Sequence, residues 1–311
     1  MSVLDTPHFH DEQAAYDYVE ARVWPQGRVC PHCGTVDHSG LLKGKSTRIG
    51  LYKCYDCRQP FTVKVGTIFE KSHVPLHLWL QAMHLVCSSK KGISSNQLHR
   101  VLGVTLKTAW FMSHRIREAM KDTSPTPLGG EGKTLEVDET FLGPKHYRYT
   151  NGKGWKAIRG GTGKRKILAL VERGGRAKSI KVERLTVAAI GKAVAKHADM
   201  KSAVMTDEAT FYKGIGWHFA SHETVNHRAL EYARGPVSTN VVEGFFGIFK
   251  RGMRGVYQHC GEKHLHRYLA EFDFRYNNRI KLGVDDVERT KRAIQGIVGK
   301  RLTYRAAGSG A

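Results

Sequence analysis

Two sets of side chains along the chain could bind metal. Cys30-Pro-His-Cys33 and Cys54-Tyr-Asp-Cys57 are two CxxC pairs with 20 residues between them. Each pair can sit on a tight turn and offer two thiolates to one tetrahedral Zn²⁺ at about 2.3 Å. Such a closed site lets a small segment fold with almost no apolar core. Gly34 follows the first pair, where a turn calls for positive φ. The four cysteines are therefore expected to hold one structural zinc ion. The competing use, a pair of redox CxxC motifs, calls for a thioredoxin-like βαβ unit, and no such pattern surrounds them. His32 and His38 read as bystanders, and Cys87 and Cys260 as buried thiols in helical patterns.

The second set is acidic. Asp138 lies in LEVDET, Asp207 ends the apolar run of AVMTDE, and Glu243 is the only acid in STNVVEGFFGIFKRG. Taken alone, each reads as a solvated surface side chain. Together they fit the hard oxygen donors that Mg²⁺ or Mn²⁺ prefers, and two such ions about 4 Å apart suit phosphodiester chemistry. Lys250 follows Glu243 by seven residues on the same helical face.

Elements must bring these acids together. From Pro75, Leu76, Trp79, Leu80 and Met83 recur at helical spacing, and further helices begin near Ser94 and Thr105. Asp122–Lys133, rich in Pro, Gly, Ser and Thr, reads as a linker. Beyond it TLEVDETFLG, KILALVERG and SIKVERL read as strands, TVAAIGKAVAKHADM as a helix, and SAVMTDE and HFASHETVNH as further strands. Ser238 to about Tyr276 reads as helical. Glu136 and Asp138 share one strand face, and Asp207 sits at a strand's C-terminal rim, where ligands bind open sheets. Expected are an N-terminal helix (1–27), a zinc ribbon (28–66), a helical helix-turn-helix-like module (67–121), a linker (122–133), an α/β domain with a mixed sheet flanked by helices (134–305) and a disordered tail (306–311).

Charge points to a polyanionic partner. Fifty Lys and Arg against 28 Asp and Glu give a formal net charge of +22 in 311 residues, favouring nucleic acid first and an anionic membrane surface second. There is no apolar run long enough to span a bilayer. MSVLDTPHFHDEQ lacks the features of a secretory signal, so a cytoplasmic, nucleoid-associated protein is expected. Within Ser94–Met120, Lys107, Arg115 and Arg117 fall on the second helix, with Thr108, Trp110 and His114. This pattern fits a recognition helix in the major groove, or else an αα-hairpin with a solvated basic face. Pro144–Lys166 holds eight Lys and Arg and no acid, with Tyr147, Tyr149 and Trp155 interleaved. Arg148, Lys153, Lys156, Lys164 and Arg165 would lie on DNA there, with the aromatics on flipped or frayed bases, unless the segment is a floppy solvated loop. GGTGKR is not a nucleotide-binding loop, because Arg165 stands where Ser or Thr is needed. Arg251, Arg254, Arg275 and Arg279 form a basic helical flank. His218, His222 and His227 read as ordinary surface or core histidines.

The chain resembles insertion-sequence transposases of the IS1595 (ISXO2-like) type along nearly its whole length. The resemblance is carried by CPHCG, CYDC, FTVKVGTIFEKSHVPLHLWL, LEVDETFLG, VMTDEATFY, STNVVEGFFGIFKRGMRGVYQH and EFDFRYNNR. It implies an N-terminal zinc ribbon and an RNase H-like domain whose acid triad is Asp138, Asp207 and Glu243, with Lys250 after the third. Asn240 and Glu271 are the alternative third residues; with Arg275 and Arg279, Glu271 reads as a structural or DNA-facing cluster. The resemblance also implies two Mg²⁺ or Mn²⁺, double-stranded DNA as partner, and a homodimer or higher oligomer when two DNA ends are paired. A non-enzymatic zinc-ribbon regulator and a structure-specific RNase H-like nuclease are the alternatives.

Overall fold

The computed structural model describes residues 2–123, 126–144, 146–158 and 161–303. The expected tail, 306–311, lies outside them. The chain forms two compact units, 1–121 with 279–311, and 122–278.

The first unit begins with α1 (Glu12–Val23), capped by Asp11, whose side chain accepts from the Ala14 N–H. A three-stranded antiparallel sheet follows: β1 (Ser39–Leu41), β2 (Tyr52–Cys54) and β3 (Pro60–Phe61). Its small core is Cys30, Tyr52, Cys54 and Phe61, with Trp24 and Cys57 against it. Three helices come next: α2 (Leu76–Ser88), α3 (Ser95–Leu102) and α4 (Leu106–Ala119). The α2 stripe Leu76, Trp79, Leu80 and Met83 is buried, as the helical spacing predicts. Between α3 and α4 the chain turns at Gly103, whose φ of 66° is the left-handed conformation that closes a helix.

In the second unit the strands are β4 (Thr134–Leu142), the hairpin β5 (Tyr147–Thr150) and β6 (Gly154–Ala157), then β7 (Arg165–Glu172) and β8 (Ala177–Val182). After α5 (Val187–His197) come β9 (Ala203–Asp207) and β10 (Ser221–Val225), and then the short pair β11 (Ala233–Arg234) and β12 (Val237–Ser238). Two helices follow, α6 (Asn240–Gly252) and α7 (Leu265–Asn277). The expected single helical run is broken: a π-helical turn, Met253–Tyr257, follows α6, and Gln258 has a φ of 55°.

The main sheet is ordered β8-β7-β4-β9-β10. β7 runs antiparallel to β4 and β8, while β9 runs parallel to β4 and β10 parallel to β9. This is the RNase H-like mixed sheet that the resemblance implies. Period-2 alternation along β7 feeds two cores. Ile167, Ala169 and Val171 pack against α6 and α7 residues Val242, Phe245, Phe246, Phe249 and Phe272. Leu168 and Leu170 face Ile190 and Val194 of α5, in one cluster with Leu135, Val137, Val204 and Tyr212.

The chain then returns to the first unit, ending in α8 (Asp286–Gln295). The expected boundary at 305 therefore differs from the structural one at 278. Arg289 and Thr290 of α8 bond to Cys87 and His84 of α2, which holds this helix in the N-terminal unit.

Candidate active site

β4 sends alternate side chains to opposite faces. Leu135 and Val137 enter the α5-side core, so Glu136 and Asp138 face α6. β9 pairs in parallel with β4, Thr134 opposite Ala203, Leu135 opposite Val204 and Glu136 opposite Met205. Asp138 and Asp207 each lie two residues beyond that last pair, so they stand at the same level on neighbouring strands. Asp207 closes β9, where the strand ladder ends.

Glu243 arrives on α6. Its helix is fixed by a fully buried carboxylate: Glu136 Oε2 accepts from the N–H groups of Val241 (2.7 Å) and Val242 (3.0 Å). Glu136 Oε1 accepts from Arg173 Nε at 2.7 Å. The same guanidinium donates to Pro236 O at 2.6 Å, to Ser238 O at 3.1 Å and to Ser238 Oγ at 2.9 Å. A carboxylate on unsatisfied helix N–H groups is favoured by both hydrogen bonding and the helix dipole. Glu136 and Arg173 thus tie the start of α6 to the strand that bears Asp138. The apolar stripe Val242, Phe245, Phe246 and Phe249 buries one side of the helix and leaves Glu243 exposed in its first turn.

The Glu243 carboxylate is held by neighbours. Thr239 Oγ1 donates to Oε1 at 2.9 Å, and His227 Nε2 lies 3.6 Å from the same oxygen. The His227 N–H donates to Glu208 Oε2 at 2.9 Å, so the loop after β10 touches both Glu243 and the residue following Asp207. Lys250 lies along α6, its Nζ 5.9 Å from the Phe246 ring centroid.

Electrostatics mark the same place. Burial, reinforced by the charges of Glu139, Asp207 and Glu243, pushes the Asp138 carboxyl up to about 8, although it accepts the Glu139 N–H at 2.7 Å. Burial also raises Asp207, against the Ala209 N–H and the charges of His227 and Arg228. Burial raises Glu139 as well, on the opposite face of β4, where it accepts from Tyr212 Oη at 2.8 Å. Carboxylates whose ionisation is disfavoured by burial and by one another fit divalent cations in their hard-oxygen donor chemistry.

In the first unit Cys30, Cys33, Cys54 and Cys57 present sulfurs that all lie within 4.8 Å of one another, positioned for one metal ion. Among the described residues this is the only group of three or more His, Cys, Asp or Glu gathered so tightly. Hydrogen bonds from the Thr35 side chain and backbone pull the Cys33 thiol down to about 6.

Several expected DNA contacts are placed differently by the structure. Arg115 is buried, its Nη1 donating to Ile68 O at 2.7 Å and Glu70 O at 2.9 Å. Arg117 is buried, donating to Ser113 Oγ at 3.0 Å. Arg115 stitches α4 to the loop carbonyls of its own unit, whereas Arg117 turns back onto Ser113 one helical turn earlier in α4. Arg275 is buried against Glu271, whose carboxylate also takes the Tyr257 hydroxyl. Glu271 is thereby occupied in the α7 core, and Asn240 is the exposed first residue of α6. Lys107, Arg148, Lys153, Lys156, Arg251 and Arg254 are exposed; Lys164, Arg165 and Arg279 are half-buried. Along α3 and α4, Leu98, Leu102, Ala109 and Met112 are buried while Val101 is exposed. Glu136, Arg173 and His227 had no assigned role in the sequence reading. Only Glu136 carried a signal there, its shared face with Asp138.

The architecture is thus an RNase H-like domain bearing clustered carboxylates, preceded by a four-cysteine ribbon. Two family models match: the ISXO2-like transposase domain over residues 127–277 and the transposase zinc-ribbon domain over residues 10–60. The chain thus carries two domains that match transposases of the IS1595 type, a zinc ribbon and an ISXO2-like transposase domain. A chain from Halobacterium salinarum, described as an uncharacterized protein in transposable element ISH50, is 26% identical over 280 residues, covering 86% of this chain and 91% of that one. A chain of the simian T-cell lymphotropic virus intasome, solved with PP2A regulatory subunit B56 gamma, overlays with a TM-score of 0.29 and 17% identity. That overlay covers 57% of this chain and 63% of that chain. At such a score the overlay carries no argument about the fold; the RNase H-like assignment rests on this chain's own strand order and register. No helix of the described residues is long and apolar enough to cross a membrane.

Proposed function

We propose that this protein is an insertion-sequence transposase that cuts DNA at the ends of its element and joins the freed 3′-hydroxyl to target DNA. The observation that carries the reading is the level placement of Asp138 and Asp207 on adjacent strands, with Glu243 close enough to raise the Asp138 carboxyl. Asp138, Asp207 and Glu243 would hold Mg²⁺ or Mn²⁺. Such ions, when bound in a pair, supply activation of the attacking oxygen and neutralisation of charge at phosphorus. The chain's own part is positioning. Glu136 and Arg173 set α6, Thr239 and His227 orient the Glu243 carboxylate, and Lys250 on the same helix adds positive charge toward a phosphate.

The four cysteines hold one zinc ion and make the ribbon a rigid arm for binding element ends. Exposed Lys107, Arg148, Lys153, Lys156, Arg251 and Arg254, with Lys164, Arg165 and Arg279, supply phosphate contacts. Pairing two ends calls for at least a dimer, on the nucleoid in the cytoplasm.

The test is nicking and strand transfer on DNA carrying the element's ends, with and without Mg²⁺ or Mn²⁺. Wild type should cut and join, and Asp138→Ala should do neither. Equal activity of the two would sink the enzymatic reading in favour of a regulator. Cutting without joining would point to a nuclease.

A further inference from the structure

The β5–β6 hairpin is built unlike the sheet it interrupts. Its register pairs Tyr149 with Trp155 and Arg148 with Lys156, so period-2 alternation sorts the side chains by chemistry. Tyr147, Tyr149 and Trp155 share one face, with Tyr149 and Trp155 in an edge-to-face pair at 5.6 Å between centroids. Arg148 and Lys156 share the other, and Lys153 lies in the turn. The rings stay in solvent: Tyr147 is 54% exposed, Tyr149 56% and Trp155 71%. A two-stranded ribbon is marginally stable alone, and exposing three aromatic rings forfeits the burial that would stabilise it. Such a face is built for a partner with flat, apolar surfaces.

The charge of the segment specifies that partner further. Pro144–Lys166 contains no Asp or Glu. Paired DNA presents its phosphates but hides its base faces within the stack. Only unpaired nucleotides offer both a phosphate and a free π-face, and stacking on aromatic side chains beside cationic groups is how single strands are held. The ribbon is also well placed. β4 runs on to Leu142, four residues beyond Asp138, and β5 begins at Tyr147, so the ribbon leaves the sheet from the end that bears the carboxylates.

We propose that the β5–β6 ribbon is a stacking platform for unpaired nucleotides at a DNA end. Its aromatic face takes base rings, and its cationic face and turn take the phosphates. This rests on the transposase reading for the source of the DNA, and it adds that the bound end is frayed or flipped open next to the acids.

The experiment uses the full zinc-loaded chain without Mg²⁺ or Mn²⁺, so that binding is read apart from catalysis. Fluorescence anisotropy would compare a short oligothymidine, a blunt duplex, and the same duplex with a few unpaired terminal nucleotides. Wild type should prefer the frayed duplex to the blunt one. Trp155→Ala and Tyr149→Ala should each weaken oligothymidine binding about tenfold while changing blunt-duplex binding little. Trp155→Phe should retain most of the affinity. Wild type should also photo-crosslink an iodouracil oligonucleotide within residues 147–157, a readout that needs no variant to fold. The proposal is overturned by equal affinity for blunt and frayed ends, by equal losses on both, by crosslinks confined elsewhere, or by Trp155-dependent binding to phosphatidylglycerol vesicles in place of DNA. If Asp138→Ala nicks DNA like wild type, the catalytic reading fails and the platform stands. If Trp155→Ala binds like wild type, the platform fails and the catalytic reading stands.

Discussion

The two ligand clusters of this molecule are built in opposite ways. In the ribbon, four thiols from two local turns lie within 4.8 Å of one another: each CxxC turn presents one pair, and Cys30 meets Cys57 at 3.7 Å and Cys33 meets Cys54 at 3.6 Å across them. On the sheet, three carboxylates come from two strands and a helix, and no such tight group forms among them. Thiols can be neutral and pack closely, whereas carboxylates resist burial and also repel one another, which is why Asp138 is pushed up to about 8. A structural ion can thus be held by a nearly finished cage. The carboxylates on the sheet hold an unfavourable charge that, on the proposed reading, a cation would relieve.

The sharpest way to break this contrast is Cys54→Ser. Structural zinc in small domains is worth about 10–16 kcal/mol. Bound zinc measured by elemental analysis should fall from one ion per chain to none, with the melting transition of the first unit lost. Retained zinc would mean that three thiols suffice and the cage is looser than described. Asp138→Asn comes next: nicking should drop by about 10³-fold or more while circular dichroism is unchanged.

Glu136→Ala probes how the dispersed acids are held. It would leave Arg173 without its buried partner and α6 without its cap, costing about 3–5 kcal/mol in thermal unfolding. In the folded fraction, displacement of Glu243 should lower nicking by about 10²-fold and raise the Mg²⁺ concentration needed for half-maximal rate. A loss of stability with an unchanged metal requirement would show that Glu136 does not position Glu243.

A smaller effect sharpens the charge argument. Asp138 in the folded chain sits near 8, above its ordinary 3.8. Between those values the folded domain keeps a proton that the unfolded chain releases, so raising pH across that window should lower stability. Melting scans without divalent ions should therefore show a fall of a few degrees for wild type between pH 5 and pH 8. Asp138→Asn should show a weaker fall, and added Mg²⁺ should restore wild type most at the higher pH. Smallest is Lys107→Ala, at an exposed position in the first turn of α4, which should flatten the salt dependence of DNA binding by about one unit of slope.

Much of this was legible beforehand. The strands around LEVDET, KILALVERG and AVMTDE announced themselves by apolar alternation, and α2 by its helical stripe, because those patterns are local. Helix α4 was legible as a helix but not in its orientation. Arg115 and Arg117 share a basic composition with Lys107, yet the two arginines are buried and the lysine is exposed. Nothing in their spacing revealed that the loop carbonyls of Ile68 and Glu70 would take Arg115 as donor, or that Arg117 would turn back onto Ser113. The break after α6 is likewise not announced by the sequence: the π-turn at Met253–Tyr257 carries no proline.

From the sequence alone came the zinc-ligand spacing, the surplus of positive charge, and the three acids as candidates, since each depends on residue type and short-range order. Only the folded chain decided that Asp138 and Asp207 stand level, that Glu136 and Arg173 anchor the helix carrying Glu243, and that an aromatic face is split from a cationic one on β5–β6. Those facts depend on strand register and on groups far apart in the chain, and register is set by which apolar faces can be buried together.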